Sequence, residues 1–192
     1  GLVSTTIDVL NTAIQKIEIG GRPTRFLRKF SRVIDKKLRN ALDKDGLDVR
    51  TLLADAISAA FTEDTTQGEE RTRLETELNL LRAEIGGFKF ATTKPYWTQK
   101  EKKEKGAGGL FSITVNPYTC KGCALCVEVC DDNALSMVTQ TRESIETLRE
   151  DWNFWLNLPN TPSQYSRIDD LDEKAGALET LLLDKRNYQS LA

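Results

Sequence analysis

Cys120-Lys121-Gly122-Cys123-Ala124-Leu125-Cys126-Val127-Glu128-Val129-Cys130 sets four cysteines at C-x2-C-x2-C-x3-C spacing, and they are the only cysteines among 192 residues. That is the local spacing of a thiolate loop for an iron-sulfur cluster. Three thiolates two residues apart can wrap one face of a cubane while the intervening backbone N–H groups point at its sulfides. Lys121, Gly122 and Ala124 are small or solvent-seeking, which suits a ligand loop better than a packing role. Disulfide partners usually scatter along a chain to close loops, whereas these thiols crowd into one turn and one helix start. A four-cysteine zinc site usually pairs two C-x2-C knuckles a dozen or more residues apart, and no second knuckle exists here. A [4Fe-4S] cluster held by Cys120, Cys123, Cys126 and Cys130 is the expected metal site.

The fourth thiol raises a question of its own. In two-cluster arrangements the last cysteine of this run sits on the following helix and ligates the other cluster. On that geometry Cys120, Cys123 and Cys126 supply three ligands and Cys130 serves a neighbour. The alternative is one unusual site that uses Cys130 or a non-cysteine fourth ligand. The first reading is preferred, and because the chain opens on Gly1 it carries the expectation of a longer polypeptide with a second cysteine run.

Composition bounds the remainder. Hydrophobic residues make up 39% and charged residues 29%, with a formal net charge of −2, a soluble pattern with a modest core. Cations are spread along the chain, so nucleic acid is not expected as a partner. No apolar run is long enough for a bilayer span and no signal peptide is evident, so no membrane association is expected. Free thiols arranged as ligands imply a reducing compartment, the cytoplasm. Histidine is absent, which excludes histidine general-base catalysis and histidine metal ligation within this segment. No catalytic residue is assigned.

Residues 1–87 read as a helical bundle or insertion. Ile7, Leu10, Ile14 and Ile17 recur at helical spacing before Gly20-Gly21-Arg22-Pro23 breaks the pattern. Phe26, Phe30, Val33, Ile34 and Leu38 form a second stripe, interleaved with Arg25, Arg28, Lys29, Arg32, Lys36, Lys37 and Arg39. The latter set reads as a solvated face, with docking of an acidic carrier or an adjoining domain as its functional rival. A third helix is expected from Leu47 to Phe61, and Leu74, Leu78, Leu81 and Ile85 mark a fourth that ends at Gly86-Gly87. Residues 88–109, with Lys and Glu followed by glycines, read as a linker or surface hairpin. Within 110–140, a strand at Leu110–Val115, the cysteine loop, a short helix over Leu125–Val129 and a return strand at Ala134–Val138 give the pattern of half a ferredoxin. Residues 141–192 read as a helix capped by Thr141, with Ile145, Leu148, Trp152 and Trp155 on one face, then a connector to a further domain. The fold class is therefore α+β, a mainly helical N-terminal region followed by a small ferredoxin-like (half ferredoxin) iron-sulfur domain.

Ile113-Thr114-Val115-Asn116-Pro117-Tyr118-Thr119-Cys120-Lys121-Gly122-Cys123 with Cys126-Val127-Glu128-Val129-Cys130 resembles the second cluster motif of the pyruvate:ferredoxin oxidoreductase and related 2-oxoacid oxidoreductase family. Trp152-Asn153-Phe154-Trp155, Leu158-Pro159 and Leu182-Leu183-Asp184-Lys185-Arg186-Asn187-Tyr188 are similar to the segment leading into that family's thiamine-diphosphate domain. The resemblance covers about residues 110 to 192. It implies enzymes that decarboxylate a 2-oxoacid on thiamine diphosphate, form acyl-CoA from coenzyme A and pass single electrons through [4Fe-4S] clusters to ferredoxin or flavodoxin. This chain would be the electron-transfer segment, with Cys120, Cys123 and Cys126 on one cluster, Cys130 on its neighbour, thiamine diphosphate and coenzyme A bound elsewhere, and a homo-oligomer as the assembly. Asp131, followed by Asp132, stands where the family has a proline after the fourth cysteine, the first cluster motif is not present in this sequence, and residues 1–86 resemble no part of the family. An iron-sulfur subunit of another redox complex, such as a hydrogenase or dehydrogenase, is the alternative function, and a structural-metal interaction module the third.

Overall fold

Four helices occupy most of the described residues from Thr6 to Ile85, and three of them are started by a device legible in their first residues. The computed structural model describes residues 1–42, 48–166 and 183–185. Helix α1 (Thr6–Ile19) is capped by Thr5, whose hydroxyl accepts the Asp8 N–H at 3.2 Å. It stops at Gly20 and Gly21, the latter in the left-handed region at φ 71°. Helix α3 (Val49–Glu63) is capped by Asp48, which accepts the Arg50 N–H at 3.0 Å. Helix α4 (Glu69–Ile85) starts after Gly68 with Glu69 and Glu70 in its first turn, favourable charge for the positive end of the helix dipole.

Helix α2 (Arg25–Leu42) is the exception. It has no acidic residue in its first turn. Its orphan N–H groups are met instead by a side chain from another helix. The carboxylate of Glu77 on α4, only 3% exposed, accepts the Phe26 N–H at 2.7 Å and the Leu27 N–H at 3.1 Å. A buried carboxylate is costly without partners, and the end of α2 supplies them.

The expected apolar seams form the core. Leu74, Leu78, Leu81 and Ile85 are buried, as are Leu10, Ile14, Ile17, Phe30, Ile34, Leu38, Leu52, Leu53, Ala56 and Ile57. Burial of such a side chain contributes roughly 2 kcal/mol. The exposed Arg73–Glu69 pair on α4 contributes at most a few tenths. Packing of the seam, not surface charge, therefore holds α4. Val33 departs from the expected stripe, since it is 42% exposed. Phe61 stays at the margin with the Arg71 guanidinium 4.1 Å over its ring.

Residues 88–109, expected as a linker, are folded onto the bundle. Phe88, Phe90 and Trp97 enter the core, and the Phe88 ring lies 4.8 Å from Phe90 and 5.2 Å from Phe154. A π-helical turn (Lys94–Thr98) runs into helix α5 (Gln99–Lys103). The glycine-rich turn that follows is organised by Glu101, whose carboxylate accepts the N–H of Gly106 at 2.9 Å and of Gly108 at 2.8 Å. Arg39 of α2 closes the arrangement by donating to the Gly106 carbonyl at 2.8 Å. Composition reads this stretch as flexible; its four aromatic residues, three of them in the main core and Tyr96 in a satellite core, fasten it down.

Two short strands join the ends of the bundle. Strand β1 (Leu2–Ser4), not expected from the sequence, pairs antiparallel with β2 (Leu110–Ser112), and Ala91 bridges Phe111 from the other side. The strand expected over Leu110–Val115 thus ends at Ser112, and no strand forms at Ala134–Val138, where all five residues are exposed. Neither Ile113–Val115 nor Ala134–Val138 has a neighbouring strand to form a ladder with among the described residues. Val3, Tyr96, Tyr165 and Leu183 build a second small core on this sheet.

Beyond the cysteine loop, helix α6 (Leu125–Glu128) is a single turn, and α7 (Arg142–Asn157) begins with a capping box between Thr141 and Ser144. Phe154 and Trp155 of α7 are in the main core, with Leu158 just beyond, whereas Ile145 and Leu148 remain only partly covered. The short helix α8 (Ser163–Ser166) carries Tyr165, whose hydroxyl donates to the Ala107 carbonyl at 2.9 Å and whose burial raises its phenol above the usual range. The expected connector 169–192, with Leu178, Leu181 and Leu182, lies outside the described residues apart from Leu183–Lys185. Among the described residues no helix is long and apolar enough to cross a membrane.

Two stability measurements follow. Glu77→Ala removes the acceptor for two N–H groups at the start of α2, so urea unfolding is expected to show a loss of about 3 kcal/mol; Glu77→Gln, which keeps one carbonyl oxygen, should lose about 1 kcal/mol. At Gly109 a Cβ would lie 2.6 Å from Val3 Cγ1 and 2.7 Å from the Tyr165 ring. Gly109→Ala is accordingly expected to destabilise by about 1–3 kcal/mol through overpacking, and an unchanged unfolding midpoint would show that the sheet and α8 are not packed as described.

Candidate metal centre

The backbone of the cysteine loop is shaped by its own residues. Asn116 opens it: its side-chain oxygen accepts the Tyr118 N–H at 2.9 Å and its carbonyl accepts the Cys120 N–H at 3.0 Å, an Asx turn that starts the loop at the first ligand. Gly122, between the first and second cysteines, takes φ 64°, and Ala124, between the second and third, takes φ 62°. These two left-handed residues reverse the chain at each x2 spacer, and at the first of them glycine is the residue that adopts the conformation without strain.

Ala124 caps α6, which carries Cys126, and its carbonyl accepts the Val127 N–H at 2.8 Å. Cys130 follows the end of that turn. Its N–H donates to the Val127 carbonyl at 3.2 Å, its carbonyl accepts the Asn133 N–H at 3.1 Å, and its Sγ accepts the Ala134 N–H at 3.2 Å. A backbone N–H directed at a thiolate sulfur stabilises negative charge on it, which is the interaction that tunes thiolate ligands of metals. This bond, and the left-handed Asn133 (φ 50°) that turns the chain toward it, escaped the sequence reading; a polar turn residue just after the fourth cysteine was the available signal.

All four cysteines are free thiols; Cys120, Cys123 and Cys126 are exposed and Cys130 is partly covered. The structure places them on one continuous loop and turn. It does not gather them: among the described residues no three His, Cys, Asp or Glu side chains are disposed to hold a metal ion. The donor chemistry nevertheless fits an iron-sulfur group, since the set is purely thiol, solvent-accessible, unspent in disulfides and carried on a backbone that bends at both spacers. Asp131 and Asp132 are both exposed, on the turn immediately after Cys130.

Large apolar side chains around the cysteines face solvent. Ile113, Val115, Tyr118, Leu125, Val129, Leu135, Met137 and Val138 are all at least 46% exposed. Elsewhere only Ile19 and Val33 are comparably exposed large hydrophobic residues among those described. A concentration of this kind marks a surface made to be covered. Two contacts tie it back to the rest of the chain: the Arg149 guanidinium of α7 lies 5.4 Å over the Tyr118 ring, and the Met137 methyl lies beside Gly122.

Among the described residues no second cluster of thiols accompanies the loop. A cleft of about 530 Å³ between the C-terminal ends of α1 and α4 and the middle of α7 includes Lys16, Glu84, Phe88, Asp151 and Phe154 in its lining, but none of the cysteines. Lys16 and Glu84 neutralise one another there at 2.5 Å, and burial, reinforced by Glu150, raises the Asp151 carboxyl above its usual range.

No protein-family model and no solved structure matches the chain. Among curated proteins it is 38% identical over 68 residues to the mitochondrial pyruvate dehydrogenase (NADP(+)) of Euglena gracilis, a match covering 34% of this chain and 4% of that protein. It is 34% identical over 98 residues to a Synechocystis sp. protein provisionally named pyruvate-flavodoxin oxidoreductase, covering 47% of this chain and 7% of the relative. To the pyruvate-flavodoxin oxidoreductase of Nostoc sp. it is 33% identical over 72 residues, covering 33% of this chain and 6% of the relative. The chain thus spans less than a tenth of the length of these relatives. It is a distant, partial relative of oxidoreductases named for pyruvate, and of pyruvate-flavodoxin oxidoreductases among them.

Proposed function

We propose that this chain is the electron-transfer segment of a 2-oxoacid oxidoreductase of the pyruvate type, and that residues 110–140 are half of a ferredoxin-like domain. The observation that carries this reading is the exposed C-x2-C-x2-C-x3-C loop in a chain whose relatives are named for pyruvate and flavodoxin. Cys120, Cys123 and Cys126 hold one [4Fe-4S] cluster, and Cys130 reaches a neighbouring one. When bound, such a cluster supplies a site that accepts and releases one electron at a time. The residues of this chain do the rest. The thiolates fix its position and Gly122 lets the loop close around it. The Ala134 N–H stabilises the charge on Cys130 Sγ. Asp131 and Asp132 add negative charge beside the site, which disfavours an extra electron and lowers the potential.

The chemistry on the 2-oxoacid belongs elsewhere in the full enzyme. No histidine is available in this segment, and its relatives are more than ten times longer than the stretches they share with it. Thiamine diphosphate and coenzyme A are assigned to those other parts, and ferredoxin or flavodoxin to the role of acceptor.

Two experiments test the assignment. Cys123→Ala, after anaerobic reconstitution with iron and sulfide, is expected to lose the broad visible absorbance and the bound iron of the wild type, because no other thiol lies within reach of the central position. Retention of a full iron complement would sink it. Cys130→Ala is expected to leave the iron held by Cys120, Cys123 and Cys126 in place and to perturb the neighbouring cluster of the full enzyme, read as loss of magnetic coupling in the EPR spectrum of the reduced protein. Loss of the first cluster alone would place all four thiolates on one cubane.

A further inference from the structure

Helix α2 carries a charge pattern that the fold does not use. Arg25, Lys29, Arg32 and Lys36 follow one another at i, i+4, i+7 and i+11, so they line one face of the helix over about 16 Å. All four are exposed. None of them forms an ion pair among the described residues, whereas Arg28 pairs with Glu18, Lys37 with Glu63, and Arg39 with Asp35 and Glu101. The paired cations sit to the sides of the stripe and tie α2 to its neighbours. The stripe cations are held more loosely: Lys29 acts on the Asp64 carboxylate without a direct ion pair, and the Arg25 guanidinium lies 5.8 Å from the Phe26 ring centroid.

This arrangement works against the helix that bears it. Like charges at i, i+3 and i, i+4 repel, and the carboxylate that meets the start of α2, Glu77, is spent on the Phe26 and Leu27 N–H groups and forms no ion pair with Arg25 among the described residues. Repulsion along a stripe that lacks ion-pair partners is the kind of local cost found at functional surfaces. Val33, the exposed apolar residue of α2, borders the stripe beside Lys29 and Lys36, so an apolar contact stands at the edge of the charged face.

We propose that this face of α2 docks an acidic protein, and, resting on the electron-transfer reading above, that this protein is the electron acceptor. The anionic alternatives fit less well. A lipid surface takes up a helix by its apolar face, and the apolar face of α2 is buried in the bundle through Leu27, Phe30, Ile34 and Leu38. An extended polyphosphate chain would run past the stripe onto a molecule of net charge −2, and no aromatic side chain is exposed on this face to stack with bases. A compact partner with an acidic patch meets the four cations and Val33 within one ordinary interface, and gains chiefly in rate of encounter and orientation.

The test is binding of an acidic, FMN-loaded flavodoxin to the 192-residue chain, followed by flavin fluorescence anisotropy at about 20 mM and about 300 mM salt. Wild type is expected to bind at low salt and to weaken steeply at high salt. Lys29→Glu with Arg32→Glu should weaken binding at least about tenfold at low salt, with unchanged far-UV circular dichroism. The control pair Lys102→Glu with Lys105→Glu, equally exposed cations on and after α5, should bind as wild type. No binding by wild type, equal weakening by both pairs, or no weakening by the α2 pair overturns the proposal. So does a stripe-dependent affinity for single-stranded DNA or for phosphatidylserine vesicles that exceeds the affinity for flavodoxin. Flavodoxin that docks on α2 but is not reduced by the reconstituted, dithionite-reduced chain upholds the docking surface and removes the electron-transfer reading instead.

Discussion

A single carboxylate decides how the helices of this protein meet. Glu77 projects from the middle of α4 into the core and accepts two backbone N–H groups from the first turn of α2. The preceding Gly20–Pro23 break offers α2 no acidic cap, and its own first turn is basic, so the positive end of the helix would otherwise be buried without an acceptor. Meeting that requirement from α4 fixes the depth and rotation of both helices, because an N–H···O geometry tolerates far less slippage than an apolar contact. The leucine seam of α4 supplies most of the energy and Glu77 supplies the register.

The sequence displays the seams plainly, since Leu74, Leu78, Leu81 and Ile85 recur with the helical period and are all buried. Thr141 is equally readable as a cap, and the structure gives it a capping box with Ser144. Glu77 is not readable in the same way. A glutamate inside a helix is ordinarily solvated, and its partners lie some fifty residues away. The same is true of β1, whose three residues carry too little pattern to announce a strand; only the partner at Leu110–Ser112 makes them one. Residues 88–109 misled in the opposite direction, because glycine and lysine suggest a tether while Phe88, Phe90, Tyr96 and Trp97 carry enough apolar surface to fasten it down.

At the cysteine loop, spacing picks out the four candidate ligands and says little about their surroundings. The left-handed turns at Gly122 and Ala124 and the N–H directed at Cys130 Sγ are local and arise within a few residues. The apolar side chains around them behave otherwise. Leu110–Ser112 pairs with β1, but Ile113, Val115, Leu135 and Met137 alternate as strands would and have no neighbouring strand among the described residues. Strand patterning without a neighbour yields no strand, because the backbone ladder needs a second chain segment to accept its hydrogen bonds. The sequence reading of those residues was a statement about a partner surface as much as about themselves.

The pairing of β1 with β2 has a consequence in time as well as in space. Leu2 and Ser112 face each other across a separation of 110 positions, and closing a loop of that length costs about 4 kcal/mol of chain entropy before any contact is made. Helices α1 to α4, built from near neighbours, carry no such cost, and they shorten the loop by folding. The sheet is therefore expected to close late, on a bundle already formed, in keeping with the slow formation of non-local contacts. The segment bearing the four cysteines leaves directly from β2, so its direction is set only at that last step. On that order the helical region would act as a jig, assembling first and then aiming the cysteine loop.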